Sequence, residues 1–361
     1  MSTLAPERGL ISFSPHLPSL LISTLLALRG LRSTSLSTSG AIAALAFGYA
    51  TLASPLRLFG VCLLGFYLAG SRATKVKAKV KATYEEPEHP SLPPSTPVSP
   101  SSTTTVSSPA RDREQKVSGG GGGRRTSTQV ACNALVGSIC SILWRVLYSG
   151  EFNQTNSWDR GGEDGRWCVV ERYGEGDRRR WSRVLVFTAV AFWSACCGDT
   201  FASELGILSR SPPILITRPF SGPVPRGTNG GITFWGLVVS FQGGLFVGTL
   251  ATICLMIQGQ KLSCGEGSEW VWELIQVAGL SGLGGSLLDS LLGALFQPTF
   301  YSPSRKLVVH HHETPSKRRD VDDKIVKIDG TAIFGPWLSN NGVNAVMGLA
   351  TSLVVALYAY R

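Results

Sequence analysis

The chain has 361 residues, of which 43% are apolar and only 16% charged, against roughly 25% charged residues in soluble domains. This composition argues against an ordinary soluble enzyme. The formal net charge of +10 does not point to nucleic acid either, because the basic runs, including Lys317-Arg318-Arg319, read better as membrane-surface patches on a chain of apolar segments.

The N-terminal region, 1–71, opens with Leu17 to Gly30, which is apolar but short and interrupted by Ser23 and Thr24. It is rich in Ser and Thr, carries Arg8, Arg29 and Arg32 with Glu7 as its only acid, and faintly resembles an organelle transit peptide. No small-residue cleavage site follows, which favours an uncleaved first anchor. Windows near the roughly 20 residues that cross a bilayer then occur at about 37–54 and 55–71.

Residues 72–128 differ in composition. Ser71 to Lys81 is strongly basic and abuts a span, as cytosolic juxtamembrane segments do. Pro87 to Pro109 is rich in Pro, Ser and Thr, and Gly119 to Gly123 is a glycine run, so a disordered loop is expected.

The membrane core, 129–361, adds windows at about 129–148, 181–203, 231–258, 271–297 and 342–360. The expected fold is all-α: a polytopic integral membrane helical bundle with about seven to eight transmembrane helices and a long disordered cytosolic loop. Counting from the basic segment places Leu205 to Gly230 and Pro298 to Asn341 on the cytosolic side. Ser149 to Arg180 and Gly259 to Trp270 fall opposite, with the sequon Asn153-Gln154-Thr155. Of the eight cysteines, six sit in or beside spans, whereas Cys168 and Cys264 lie in the lumenal loops, where a disulfide is permitted.

Four polar motifs interrupt the apolar pattern at the cytosolic boundary. Asp199 stands in Gly198-Asp199-Thr200, with Ser203 and Glu204 one turn later. Ionisable groups near hydrocarbon cost roughly 2.5–3.5 kcal/mol on insertion scales and so face cavities, partners or ligands; a helix end with solvated acids is the plainer alternative. Pro225 to Gly231 contains Arg226, Gly227, Thr228, Asn229, Gly230 and Gly231 before a helix, a turn able to aim amides at an anion or simply to start a helix. Asp289 lies in Gly285-Ser286-Leu287-Leu288-Asp289-Ser290, with Gly282, Gly285 and Gly293 near its face for close helix packing. Asn340, Asn341 and Asn344 precede or open the last span and either cap it or bind a ligand. Asn133 is a weaker polar insertion, and His310-His311-His312 lacks a second ligand cluster for a metal.

As an ordered set, these motifs, with Gly70-Ser71-Arg72-Ala73-Thr74-Lys75 and Gln129-Val130-Ala131-Cys132-Asn133, resemble the transmembrane protein 19 family. That family includes a plant phytyl-phosphate kinase and looks distantly similar to membrane CTP-dependent lipid kinases. The resemblance implies phosphoryl transfer from a nucleoside triphosphate, CTP favoured, to an isoprenoid phosphate. Ser339 departs from the family, which often has an acid there before the paired Asn.

For such chemistry Asp199 and Asp289 are candidate Mg2+ ligands, since Mg2+ takes one or two carboxylates and fills its shell with water and phosphate, and Glu204 is a possible third acid. The Gly227 to Gly231 amides with Arg226 would cradle phosphates, and Asn340, Asn341 and Asn344 would orient nucleotide or acceptor. Lys75 would reach the lipid phosphate, and the glycine-lined spans would hold the isoprenoid tail. The partners are thus the bilayer and an isoprenoid phosphate, in the endoplasmic reticulum or another endomembrane, with an organelle membrane as the other reading. An ion-coupled transporter, with both acids on a coupling ion, and a non-catalytic scaffold are the alternatives.

Overall fold

The structure is a computed structural model that describes residues 16–77, 80, 84, 124–155, 168–171, 177–259, 264, 269–309 and 325–361, the side chains of 151–155 and 177–179 excepted. Most of the expected loop, His310 to His312 and the Lys317-Arg318-Arg319 run therefore lie outside the described residues.

The helices in chain order are α1 (Leu17–Arg32), α2 (Thr38–Leu52), α3 (Leu58–Ala73), α4 (Ser127–Cys132), α5 (Leu135–Thr155), α6 (Asp177–Gly206), α7 (Phe234–Ile257), α8 (Glu269–Phe296) and α9 (Asn340–Tyr360). Four of them, α6 to α9, are long and apolar enough to cross a membrane. Helices α2 and α3 and the first 16 residues of α5 are apolar but shorter. Leu17–Arg32 is helical, but it belongs neither to the four membrane-length helices nor to the shorter apolar ones.

Side-chain and cap contacts fix how the helices run. Ser19 Oγ, near the start of α1, donates to the Leu52 carbonyl at the end of α2 (2.7 Å). Gln258, the C-cap of α7, accepts from Arg57 N–H (2.9 Å) and donates to the Pro55 carbonyl (3.0 Å), tying the end of α7 to the start of α3. Arg183, near the start of α6, donates to Glu273 in the first turns of α8 (2.5 Å), and Tyr358, near the end of α9, donates to the same Glu273 oxygen (2.6 Å). The long helices therefore alternate in direction. One end of the bundle gathers the C-terminal ends of α3, α6 and α8 with the N-terminal ends of α7 and α9; it is called the site end below.

The far end carries the Cys168–Cys264 disulfide, which joins the segments leading into α6 and α8. It also carries the end of α5, so Asn153 falls on helical backbone where a loop is expected. There Trp144 donates to Ser182 Oγ (2.8 Å), which donates on to the Val169 carbonyl (2.9 Å). These bonds satisfy polar groups that would otherwise be costly to bury.

At the centre α6, α7 and α8 meet backbone to backbone. A Cβ added to Gly282 would lie 2.6 Å from the Ser240 carbonyl, and one added to Gly243 would lie 2.9 Å from the Cys197 carbonyl; Gly198 is pressed against Gly282 in the same way. Glycine is needed because nothing larger fits between these helices. These glycines bring helices together and leave no space, so the expectation that they house an isoprenoid tail is corrected.

The site end also carries small sheets inside the expected loops. Ile214–Leu215 (β1) pairs antiparallel with Gly231–Ile232 (β2), while Phe300–Ser302 (β3) lies between Leu307–Val309 (β4) and Val326–Lys327 (β5). The span expected from residue 231 thus begins as strand, and its helix starts at Phe234.

Candidate phosphate and carboxylate site

At the site end a cavity of about 270 Å³ opens between α6, α7, α8 and the start of α9. Asp199 and Asp289 line it, and their carboxyl groups meet side chain to side chain. Each acid stands about two turns before the carbonyl end of its helix. Asn344, on α9, is placed so that its amide nitrogen donates to Asp289 Oδ1 (3.1 Å) and to the Asn340 carbonyl (3.3 Å). One carboxylate oxygen of Asp289 is thereby oriented from outside the cavity.

Another part of the lining is built from helix starts. Thr233 caps α7, its hydroxyl accepting from Gly236 N–H (2.9 Å), and Thr233, Gly236 and Leu237 line the cavity. Ser339 caps α9 by accepting from Gly342 N–H (3.2 Å). Capping therefore falls to Ser339, which leaves the asparagine side chains for other contacts. Helix starts carry partial positive charge and favour anions. The cavity thus has a carboxylate side and an anion-favouring side.

The turn 225–231 forms a third wall, and its geometry corrects one expectation. Gly227 (φ +85°) and Gly230 (φ +81°) adopt the left-handed backbone that glycine tolerates. Half the amides of the turn are already used: Thr228 N–H donates to the Pro225 carbonyl (3.3 Å), Asn229 N–H to Thr299 Oγ1 (3.0 Å) and Gly231 N–H to the Thr228 carbonyl (2.9 Å). Among the described residues the Arg226, Gly227 and Gly230 amides of that run have no protein acceptor. Arg226 lines the cavity, but its guanidinium donates to the carbonyls of Ile207 (2.9 Å), Ser209 (2.5 Å) and Arg210 (3.2 Å). It fixes the segment after α6 as much as it supplies charge.

Of the sequence-derived candidates, Asp199, Asp289, Arg226, Gly227, Thr228, Asn229, Gly230, Gly231 and Asn340 line this one cavity. Asn341 and Asn344 line a neighbouring apolar cavity, which Asn340 also borders. Glu204 and Lys75 line neither, and Lys75 is exposed on the turn after α3. Ser286, Ser290, Gln297 and Thr233 also line the site. Thr233 was findable as a Thr immediately before an apolar run, whereas Gln297 carries no such signal.

Among the described residues no cluster of three His, Cys, Asp or Glu side chains could hold a metal. Two converging carboxylates with polar neighbours nevertheless suit Mg2+, which keeps several waters and binds few protein carboxylates.

The comparisons with known proteins agree with this architecture. The family model described as integral membrane protein DUF92 matches residues 21–91 and 98–352. The chain belongs to the DUF92 integral membrane family. It is similar to Protein PGR of Arabidopsis thaliana, with 30% identity over 338 residues, covering 93% of each chain. It is also similar to an uncharacterized membrane protein of Methanocaldococcus jannaschii, with 35% identity over 117 residues, covering 32% of this chain and 41% of that one. No solved structure matches. As a DUF92 protein with four membrane-length helices, the chain is a multi-pass integral membrane protein.

Proposed function

We propose that this DUF92 protein is a membrane phosphotransferase that passes the terminal phosphoryl group of a nucleoside triphosphate, CTP favoured, to an isoprenoid monophosphate at the cytosolic face. The observation that carries this reading is the single cavity in which the Asp199–Asp289 pair faces the capped starts of α7 and α9. An oxygen of the acceptor phosphate attacks the terminal phosphorus, the bond to the bridging oxygen breaks, and isoprenyl diphosphate and nucleoside diphosphate leave.

Phosphoryl transfer asks mainly for positioning and charge neutralisation. Asp199 and Asp289 would hold Mg2+, which when bound neutralises phosphate charge. Asn344 fixes the rotamer of Asp289, the Gly227 and Gly230 amides and the helix starts receive phosphate oxygens, and Asn340 stands between donor and acceptor. In this reading all eight longer helices lie in the bilayer. The acids lie about two turns from helix ends rather than at mid-helix, which favours surface chemistry over an ion-coupled carrier.

The test is reconstituted protein with phytyl or farnesyl phosphate and labelled CTP. Labelled isoprenyl diphosphate is expected from wild type and not from Asp289→Ala. No product, with wild type and Asp289→Ala alike, overturns the reading.

A further inference from the structure

Beside the carboxylate cavity lies a second, apolar one of about 210 Å³, walled by α1, α2, α3, α4 and the start of α9. Its deeper lining is hydrocarbon and aromatic, including Leu26, Ala44, Phe47 and Leu64. Its polar end gathers Arg125, Asn133, Asn341 and Thr200, the last adjacent in sequence to Asp199. Asn340 borders both cavities, so the two lie next to each other at that residue.

Arg125 is the informative member. Its backbone is committed to structure: its N–H donates to the Ser35 carbonyl (3.0 Å), and its carbonyl accepts from Ser37 N–H (3.0 Å). The residue is half-buried, and its guanidinium has no acceptor among the described residues. An unpartnered cation lining an apolar slot, next to a phosphate-type site, matches a ligand with one anionic head and one hydrocarbon tail.

We infer that this cavity is the acceptor subsite and that Arg125 binds the monophosphate of a single-chain isoprenyl phosphate, whose first isoprene units occupy the slot. This deepens the phosphotransfer reading and rests on it for the choice of lipid. The volume is below the roughly 300–1,000 Å³ of ligand pockets, so the slot takes the head-proximal part of the chain and the remainder leaves toward the bilayer. Helix α1, which walls the slot, turns Ile22, Leu25 and Leu28 outward on that path.

Equilibrium binding of labelled farnesyl phosphate and labelled farnesol to the detergent-solubilised full chain, without nucleotide, tests this apart from catalysis. Wild type should hold farnesyl phosphate more tightly than farnesol by about 10- to 100-fold, the range of a charge-assisted hydrogen bond. Arg125→Gln should erase that preference without changing farnesol binding, and Arg125→Lys should restore most of it. Ala44→Phe, which fills the slot, should weaken both ligands. The backbone contacts of residue 125 survive these substitutions, and an unchanged melting temperature confirms folding. Arg125→Gln or Ala44→Phe binding both ligands as wild type does overturns the inference. The expected binding pattern without any transfer from CTP leaves the subsite standing and removes the phosphotransfer reading; transfer with Arg125→Gln unaffected does the reverse.

Discussion

The carboxyl groups of Asp199 and Asp289, carried by different membrane-length helices, meet face to face in one cavity. Two buried acids this close cannot both carry charge without a cation, and the arrangement is retained at the expense of the empty protein's stability. Asp289→Asn should therefore melt at a higher temperature than wild type, by an amount corresponding to about 1 kcal/mol. The same variant should lose about 10²-fold or more in transfer from labelled CTP. A melting curve and an initial-rate assay on one preparation check both; a stability loss with full activity would contradict the assignment.

Asn344 acts through Asp289. Groups that orient a ligand typically matter 10- to 100-fold, so Asn344→Ala should lower the rate by about tenfold. Asn344→Asp, which replaces a donor with a third carboxylate, should lower it further. Raising the Mg2+ concentration should recover part of the Asn344→Ala loss and little of the loss in Asp289→Asn.

The glycine contact at the bundle centre separates two substitutions that look alike in sequence. Gly282→Ala drives a Cβ into the Ser240 carbonyl and the Gly244 backbone, whereas a Cβ at Gly284 meets nothing within 4 Å. Gly282→Ala should destabilise by about 3 kcal/mol or more. Gly284→Ala should be neutral or stabilising by up to about 1 kcal/mol, since alanine is the better helix former. Thermal unfolding in detergent distinguishes them.

The Cys168–Cys264 bridge closes a loop that contains α6 and α7. A soluble loop of that length would gain about 4.7 kcal/mol in the chain-entropy model. Helices that stay inserted when the bundle opens have less freedom to lose, so Cys168→Ser should cost about 2 kcal/mol. Because such bridges persist in oxidising compartments, thiol labelling of intact vesicles after reduction should place both cysteines opposite a reporter cysteine at Ser339.

Much of this was legible because membrane insertion makes polar residues conspicuous. Asp199, Asp289 and the Asn340 group each interrupt an apolar run at the same boundary, so alternating helices bring them together. The turn 225–231 was legible as a turn and not as a set of donors. Whether Thr228 or Gly231 has a free amide depends on bonds to Pro225 and within the turn, and Asn229 depends on distant Thr299. Arg125 was missed because it follows a glycine run that reads as loop, and its placement comes from a bridge to Leu36 far away in the chain. The tail was assigned to the glycine-rich helices because glycine signals space, yet Gly198, Gly243 and Gly282 spend that space on one another.

Arg183, Glu273 and Tyr358 tie α6, α8 and α9 at the far end of the bundle. At the site end the same three helices contribute Asp199, Asp289 and Asn344. The ion pair is thus at one extremity and the paired acids at the other, as in a pair of tongs fastened at the handle. Charge entering between the jaws can alter the spacing there while the fastened end keeps the helices in register.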